Sequence, residues 1–207
     1  MYLYPQSRNL DDYLQATDTI DYHDPSVSAL AEKLKNAHAS GPERMKAAYE
    51  YVRDAIAHSA DAAGKTVTCS ASSVLTAREG ICFAKTHLFA ALLRHNGIPA
   101  GFCYQTLRRG DAPDAPFVLH GLGAVYVEEL QRWVRLDTRG NKPGISAQFS
   151  LTKEILAYPT RPEKGEASIP LVFTSPAPSV VHALSTCATL DELWANLPQT
   201  LGTRPEE

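Results

Sequence analysis

The 207-residue sequence contains no run of apolar residues long enough to span a bilayer, which takes roughly 18. It also has no large excess of either charge: with a formal net charge of -3, it offers neither a basic stripe for nucleic acid nor a polybasic membrane anchor. Its first residues, MYLYPQSRNLDD, lack the basic and apolar regions of a secretory leader. We therefore expect a cytoplasmic protein that binds neither nucleic acid nor membrane.

Cysteine is scarce, and its four occurrences have no close paired spacing: Cys69, Cys82, Cys103 and Cys187. That distribution favours free thiols over a disulfide framework or a zinc site. With 44% hydrophobic and 21% charged residues, and no repeat or low-complexity tract, the composition is close to that of an average soluble protein. We expect one domain over residues 1–207, with neither a metal nor a cofactor, and the sequence leaves the oligomeric state unknown.

Helix signals are strongest in the first half of the chain. Asp24-Pro25 is typical of an N-cap followed by proline in the first turn, and it predicts a helix to Ala37. Ser40-Gly41-Pro42 repeats that signal, and an apolar stripe predicts that the second helix continues to His58. The stripe consists of Met45, Tyr49, Val52 and Ile56. A short helix is expected at residues 71–76.

Strand patterns dominate after Pro99. Residues 101–107, 119–127 and 132–137 are rich in alternating apolar residues and predict three sequential strands of an antiparallel sheet. The remaining signals are weaker: a strand or extended arm at 17–22, a short helix at 151–158, a strand at 169–174 and a helix at 190–197. We expect a core over about 42–144, a proline-rich arm over 159–207 and a frayed end at 202–207.

One cysteine begins a long apolar stretch, REGICFAKTHLFAALLRHNGIP, that spans Arg78 to Pro99. Apolar residues occupy most of the circumference from Phe83 to Arg94, which predicts a helix buried on most sides. A thiol at a helix N-terminus meets unpaired backbone N–H groups and the positive end of the helix dipole, and both favour the thiolate. Cys82 is therefore a candidate nucleophile, although an isolated buried cysteine is more often a core residue.

A nucleophilic cysteine needs a base and a group that orients the base. Of the seven histidines, only His120 lies in a predicted strand of the sheet, and the next strand ends at Asp137. A hairpin centred between Glu128 and Glu129 would place His120 and Asp137 opposite each other on one face. Glu-Glu is poor chemistry for a two-residue turn, so a longer loop is the alternative. The pairing then survives only an even shift of register.

These segments resemble the transglutaminase-like superfamily, a branch of the papain-type cysteine enzymes. The resemblance rests on REGICFAKTHLFAALLRHNGIPAGF, LHGLGAVYV and RWVRLDTRGN. It implies an α+β fold in which a central helix carrying the cysteine packs against a mainly antiparallel sheet, and it matches Cys82 to the nucleophile, His120 to the base and Asp137 to the orienting acid. Many relatives have Trp after the cysteine and Ala-Trp after the histidine, whereas this chain has Phe83 and Gly121-Leu122.

An indole is thus absent from those two positions, and the sequence leaves the oxyanion donor open. The backbone N–H of Cys82 is the natural first donor, with Gln105 or Tyr104 as side-chain candidates. A second set of residues could line the cleft or meet a substrate carboxylate, or could simply be solvated: His58, Ser59, Ser70, Arg139, Asn141 and Lys142.

The implied chemistry is acyl transfer from an amide or peptide bond of a peptide or protein substrate. Water as the acceptor gives a peptidase or amidase, and an amine gives a transglutaminase; the sequence does not choose between them. Two alternatives remain: an arylamine N-acetyltransferase-like enzyme, and a catalytically silent binding module of the same fold.

Overall fold

The computed structural model describes residues 2–112 and 114–202, so most of the predicted frayed end lies outside the described residues. Its helices are α1 (Pro25–Ala37), α2 (Gly41–Glu50), α3 (Ala71–Ala77), α4 (Cys82–His95), α5 (Pro178–Thr186) and α6 (Leu190–Ala195). Its strands are β1 (Tyr4–Pro5), β2 (Ala57–His58), β3 (Glu79–Gly80), β4 (Ala100–Arg108), β5 (Phe117–Val127), β6 (Arg132–Leu136), β7 (Ala167–Ser168) and β8 (Leu171–Val172). None of the described helices is long and apolar enough to cross a membrane.

The first two helices begin as the sequence predicts. The Asp24 carboxylate accepts the N–H groups of Ser26 and Val27, and Ser40 forms a capping box with Glu43. The second helix ends earlier than predicted, because α2 stops at Glu50 and one π-helical turn, Tyr51–Ala55, follows it. The carbonyls of Arg53 and Ile56 accept hydrogen bonds from the buried ammonium of Lys85, which satisfies them without a regular helix end.

Helix α4 lies at the centre of the molecule. All its residues from Cys82 to Arg94 are buried, as the apolar circumference predicts. It packs against the sheet at Gly123, where a Cβ would lie 2.8 Å from the ring of Phe89. Glycine at this position allows the helix to approach the strand closely.

The sheet has the order β6-β5-β4-β7, and every neighbouring pair is antiparallel. The three predicted strands are therefore confirmed as β4, β5 and β6. Odd-numbered residues of β5, such as Leu119 and Val125, belong to the core that α4 fills, whereas Leu122 and Ala124 belong to a second apolar cluster. Leu3 and Tyr13 near the N-terminus and Val172 of β8 also belong to that second cluster, and β1 pairs with β8 in parallel.

The weaker expectations outside the core are met in part. Residues 151–158 form bends rather than the expected helix. The strand expected at 169–174 is present as the shorter β8, and of the two alternatives at 17–22 the strand is not found. Helix α5 has no counterpart among the predicted elements, because its β-branched residues are poor helix formers and Ala177 provides no side-chain cap. Helix α6 is confirmed, with Thr189 and Glu192 forming its capping box.

Candidate active site

Cys82 is the first residue of α4, and its side chain is largely buried. The preceding residue, Ile81, is extended and forms no side-chain cap. The chain entering the helix is fixed by β3, which pairs in parallel with β2 so that His58 lies beside Gly80. The thiol therefore lies at an uncapped helix N-terminus, where backbone N–H groups and the helix dipole favour negative charge.

The β5–β6 hairpin brings the imidazole and the carboxylate together in a register that differs from the prediction. Its loop consists of the 3-10 turn Glu128–Leu130 and Gln131, which has a positive φ of 50°. Gly123 consequently pairs with Leu136, and Asp137 lies past the end of β6. The predicted direct opposition of His120 and Asp137 is therefore wrong. The register is shifted by two residues, and an even shift leaves the two side chains on the same face.

Asp137 is fully buried and accepts three hydrogen bonds. His120 Nε2 lies 2.9 Å from Oδ2, the Ala157 N–H donates to the same oxygen at 2.9 Å, and the Arg139 N–H donates to Oδ1 at 3.0 Å. Burial alone would raise the Asp137 pKa, but His120 and the two backbone donors lower it. Asp137 is thus held as a carboxylate that fixes a proton on Nε2 of His120.

His120 is buried between this carboxylate and the candidate nucleophile. Burial alone would lower its pKa, but the charges of Asp137 and Cys82 and the hydrogen bond to Asp137 raise it to about 10. Because Asp137 occupies Nε2, Nδ1 is the ring nitrogen left for Cys82. The ring of Tyr158 packs edge-on against the imidazole, with 5.1 Å between the ring centroids. The imidazole therefore lies between the Asp137 carboxylate and the cleft that Cys82 also lines.

Cys82 and His120 line a cleft of about 570 Å³, and Asp137 lies buried behind His120. Its apolar lining includes Phe83, Leu119 and Trp194, and its charged lining includes Arg139 and Arg161. Two of the sequence candidates, His58 and Arg139, also line it. The Arg139 guanidinium is 2.5 Å from the carboxylate of Asp61 and 5.7 Å from the centroid of the Tyr158 ring, so its charge is already partnered.

Three other sequence candidates are engaged away from the cleft. The side-chain amide of Gln105 donates to the Tyr158 carbonyl at 3.1 Å and lies 3.3 Å from the Ser168 hydroxyl. The Tyr104 hydroxyl accepts the Ala177 N–H at 2.8 Å. Asn141 makes two hydrogen bonds to the backbone of Ala147 and so closes the loop that follows the sheet. None of the three lines the cleft.

His58 lies beside the strand that leads into Cys82. Its Nδ1 accepts the N–H of Ala60 at 3.3 Å, which places the ring proton on Nε2 in the neutral form. Burial and the charge of Arg139 lower its pKa to about 3. Within the described residues no hydrogen-bond partner is found for Nε2, so the cleft contains a neutral imidazole with an available donor.

Phe83 and Gly121, where the chain departs from many relatives, are in contact with each other. A Cβ at Gly121 would lie 2.5 Å from Cδ1 of Phe83, inside van der Waals contact. The Phe83 ring therefore fits against β5 only because residue 121 is a glycine. The pair fixes the distance between the α4 N-terminus and β5 through packing.

Sequence reasoning missed two residues near this site. Lys85 lies one turn after Cys82, and its burial, together with the charge of Arg139, lowers its pKa to about 7. A lysine inside an otherwise apolar helix was the available signal. Tyr158 could not be found in this way, because it lies in an irregular segment where no sequence pattern predicts which groups it contacts.

No group of three or more His, Cys, Asp or Glu side chains arranged to hold a metal ion is found among residues 2–112 and 114–202. The cleft is lined by the thiol of Cys82 and the imidazole of His120, and the Asp137 carboxylate is hydrogen-bonded to that imidazole. These are the groups used in nucleophilic catalysis at carbonyl carbon.

Comparison with known proteins adds a family and a fold. A sequence model of the transglutaminase-like superfamily matches residues 28–138, more than half of the chain. A search of curated proteins gave no significant match. Among solved structures, a candidate cysteine protease from Cytophaga hutchinsonii is 19% identical with a TM-score of 0.51, and the alignment covers 64% of this chain and 43% of that one. The periplasmic domain of TgpA from Pseudomonas aeruginosa is 23% identical with a TM-score of 0.47, and the alignment covers 63% of this chain and 48% of that one. The chain spans less than half the length of either structure.

Proposed function

The chain belongs to the transglutaminase-like superfamily, and from that premise we propose that it is a thiol enzyme that transfers an acyl group from an amide or peptide bond. One observation carries the proposal: His120 is hydrogen-bonded to the buried Asp137 carboxylate at 2.9 Å and lines the same cleft as Cys82. A nucleophile, its base and an orienting acid are the groups that this chemistry needs together.

In the first half-reaction His120 Nδ1 accepts the Cys82 proton, and the thiolate sulfur bonds to the substrate carbonyl carbon. The tetrahedral intermediate collapses as the carbon–nitrogen bond breaks, and His120 returns its proton to the departing nitrogen. The raised pKa of His120, about 10, suits a group that must hold a proton at neutral pH until an amine leaves.

In the second half-reaction water or a primary amine attacks the thioester. His120 takes a proton from the attacking group, the carbon–sulfur bond breaks, and the Cys82 thiolate is restored. Throughout both halves the Asp137 carboxylate accepts a hydrogen bond from Nε2–H of His120. It thereby holds that proton on the ring and stabilises the imidazolium.

The first experiment measures the reactivity of the four thiols. We expect iodoacetamide at pH 6 to alkylate Cys82 at least tenfold faster than Cys187, because a thiolate rather than a thiol is the nucleophile. Cys103 should react slowest: burial raises its pKa to about 12. If Cys82 alkylates no faster than Cys187 or Cys103, the proton-transfer pair does not operate and a silent binding module is the better account.

The second experiment identifies the reaction. Peptides containing glutamine, asparagine and ordinary peptide bonds are incubated with and without a primary amine, and products are identified by mass spectrometry. Wild type and Cys187→Ala should give the same product, whereas Cys82→Ala should give none. Turnover retained by Cys82→Ala would refute the nucleophile assignment, and the product with amine present separates hydrolysis from amine transfer.

A further inference from the structure

We infer that His58 is an oxyanion donor: its Nε2–H and the backbone N–H of Cys82 bind the carbonyl oxygen of the substrate when that oxygen becomes negatively charged. This inference rests on the proposed function and assigns the donor that the sequence left open. It makes His58 a catalytic residue, because it would touch a reacting atom.

The position of His58 follows from backbone hydrogen bonds on both sides of it. Ala57 N–H donates to the Arg78 carbonyl at 2.9 Å, and Ser59 N–H donates to the Gly80 carbonyl at 3.2 Å. His58 is therefore tied to the segment that ends two residues before the nucleophile. Both His58 and Cys82 line the same cleft. A carbonyl carbon bonded to the Cys82 sulfur would thus lie in the cleft that His58 also lines.

The tautomer of His58 supplies a donor on the free side of the ring. The Ala60 N–H occupies Nδ1 as an acceptor, so the proton of the neutral ring is on Nε2. The charged and titratable groups whose fields act on this ring are Arg139, Asp61, Lys85 and His120. Burial and Arg139 oppose its protonation, so the ring remains neutral at working pH.

A neutral donor suits the role because it strengthens its hydrogen bond as charge develops, without giving up a proton. An imidazolium at this position would compete with His120 for the Cys82 thiolate. The His58 ring is neutral and the His120 ring holds a proton. This difference suits His58 to donate a hydrogen bond and His120 to transfer a proton.

The second donor is supplied by the start of α4. Helices α1, α2, α3 and α6 each have a capping side chain that accepts a first-turn N–H, whereas α4 and α5 have none. At α4 the N-cap position is Ile81, which cannot accept one, and the Cys82 N–H has no backbone partner among the described residues. The first N–H groups of an α-helix point out of its N-terminal end, and Cys82 is the first residue of α4.

In the step itself, the Cys82 sulfur uses its electron pair to form a bond to the carbonyl carbon, and the π pair of that carbonyl moves to oxygen. His58 and the Cys82 N–H donate hydrogen bonds to this oxygen and transfer no proton. When the π bond re-forms, the carbon–nitrogen bond breaks and the nitrogen takes its proton from His120.

The test compares two substitutions of His58 with a surface histidine. His58→Phe keeps a ring of similar size and removes the donor, whereas His58→Gln can present an amide N–H near the position of Nε2. We expect kcat to fall about 100- to 1,000-fold in His58→Phe with KM changed less than threefold, and to recover at least tenfold in His58→Gln. His182→Phe, an exposed position on α5, should retain wild-type kcat.

Two further readouts separate this inference from the proposed function. Alkylation of Cys82 by iodoacetamide forms no oxyanion, so His58→Phe should react at the wild-type rate, whereas a peptide aldehyde, whose adduct is tetrahedral, should bind at least 30-fold more weakly. The ¹⁵N spectrum of wild-type His58 should show protonated Nε2 and no titration between pH 5 and pH 8.

The outcomes are distinguishable. Wild-type turnover with a His58→Phe kcat within threefold of wild type would overturn the oxyanion assignment and leave the proposed function standing. A His58 ring that titrates near pH 6.5 would also overturn it. Loss of Cys82 alkylation in His58→Phe would mean that His58 only positions the thiol, and absence of wild-type turnover on every substrate would remove both proposals together.

Discussion

Replacing Asp137 with asparagine changes one atom of a buried group and reverses its hydrogen-bonding role. The carboxylate accepts from His120, Ala157 and Arg139, whereas the side-chain amide of Asp137→Asn can accept at only one of its two positions. With the amide oxygen towards Arg139, the NH₂ group faces His120 Nε2 and the Ala157 N–H. The imidazole then accepts at Nε2 and moves its proton to Nδ1, where it blocks proton transfer from Cys82.

The magnitude follows from the charge that is lost. Two unit charges about 4 Å apart at an effective dielectric constant of about 20 attract by about 4 kcal/mol, which corresponds to roughly a thousandfold in a protonation equilibrium. Asp137→Asn should therefore lower the pKa of His120 from about 10 to about 7 or below. The wrong tautomer should reduce kcat by about 10³- to 10⁴-fold.

The assay is the pH dependence of kcat/KM for whichever amide the enzyme turns over. In wild type, activity should decline above about pH 10, because His120 then lacks the proton that the leaving nitrogen needs. In Asp137→Asn the residual activity should decline from about pH 7. Asp18→Asn, an exposed carboxylate, is the control and should follow wild type. A variant that keeps kcat within tenfold, or an unmoved alkaline limb, would refute the orienting role.

Three further substitutions test residues that surround Cys82, His120 and Asp137. Gly121→Ala should force Phe83 away from β5, and both the rate of Cys82 alkylation at pH 6 and turnover should fall at least tenfold. The control is Gly97→Asn, at a more distant glycine with a φ of 72°, which should leave both rates unchanged. Equal alkylation rates in the two variants would contradict this prediction. Between about pH 7 and pH 10.5, Lys85 binds more protons in the unfolded than in the folded protein, so its contribution to stability rises with pH across that range. Urea titrations should therefore show that the difference in the free energy of unfolding, wild type minus Lys85→Met, increases with pH over this range. A difference that stays constant would contradict the lowered pKa of Lys85. Tyr158→Ala should remove the edge contact with His120 and lower kcat up to about tenfold with KM nearly unchanged, and an effect on KM alone would assign Tyr158 to substrate binding instead.

The elements that could be predicted are those with a local physical signature. The α1 start follows from the Asp24 cap and Pro25, and the buried circumference of α4 follows from its composition. Three of the sheet strands follow from apolar alternation. Cys82 and His120 could be chosen from the sequence because Cys82 begins the apolar helix and His120 is the one histidine in a predicted strand.

The remainder depended on contacts between distant segments. The end of α2 is set by the Lys85 ammonium, which binds carbonyls about thirty residues earlier. The hairpin register is set by a four-residue loop ending in Gln131 with positive φ, and neither Glu128 nor Gln131 is a typical signal for it. The segment containing Ala157 and Tyr158 takes its conformation from Asp137 and Gln105. None of these causes is local in sequence.

Polar groups in an apolar environment can be divided by whether the protein provides their partners. Arg94 is buried in α4, but its guanidinium donates to the carbonyls of Ala100, Gln15 and Thr174, and His87 is paired with the Cys69 carbonyl. These contacts tie separate segments of the chain together. His58 Nε2 and the Cys82 N–H have no such partner among the described residues, although both lie at the cleft. His58 is only partly buried, so solvent in the cleft can accept from its Nε2–H in the free protein, and a substrate oxygen that accepts from both donors would take the place of that solvent.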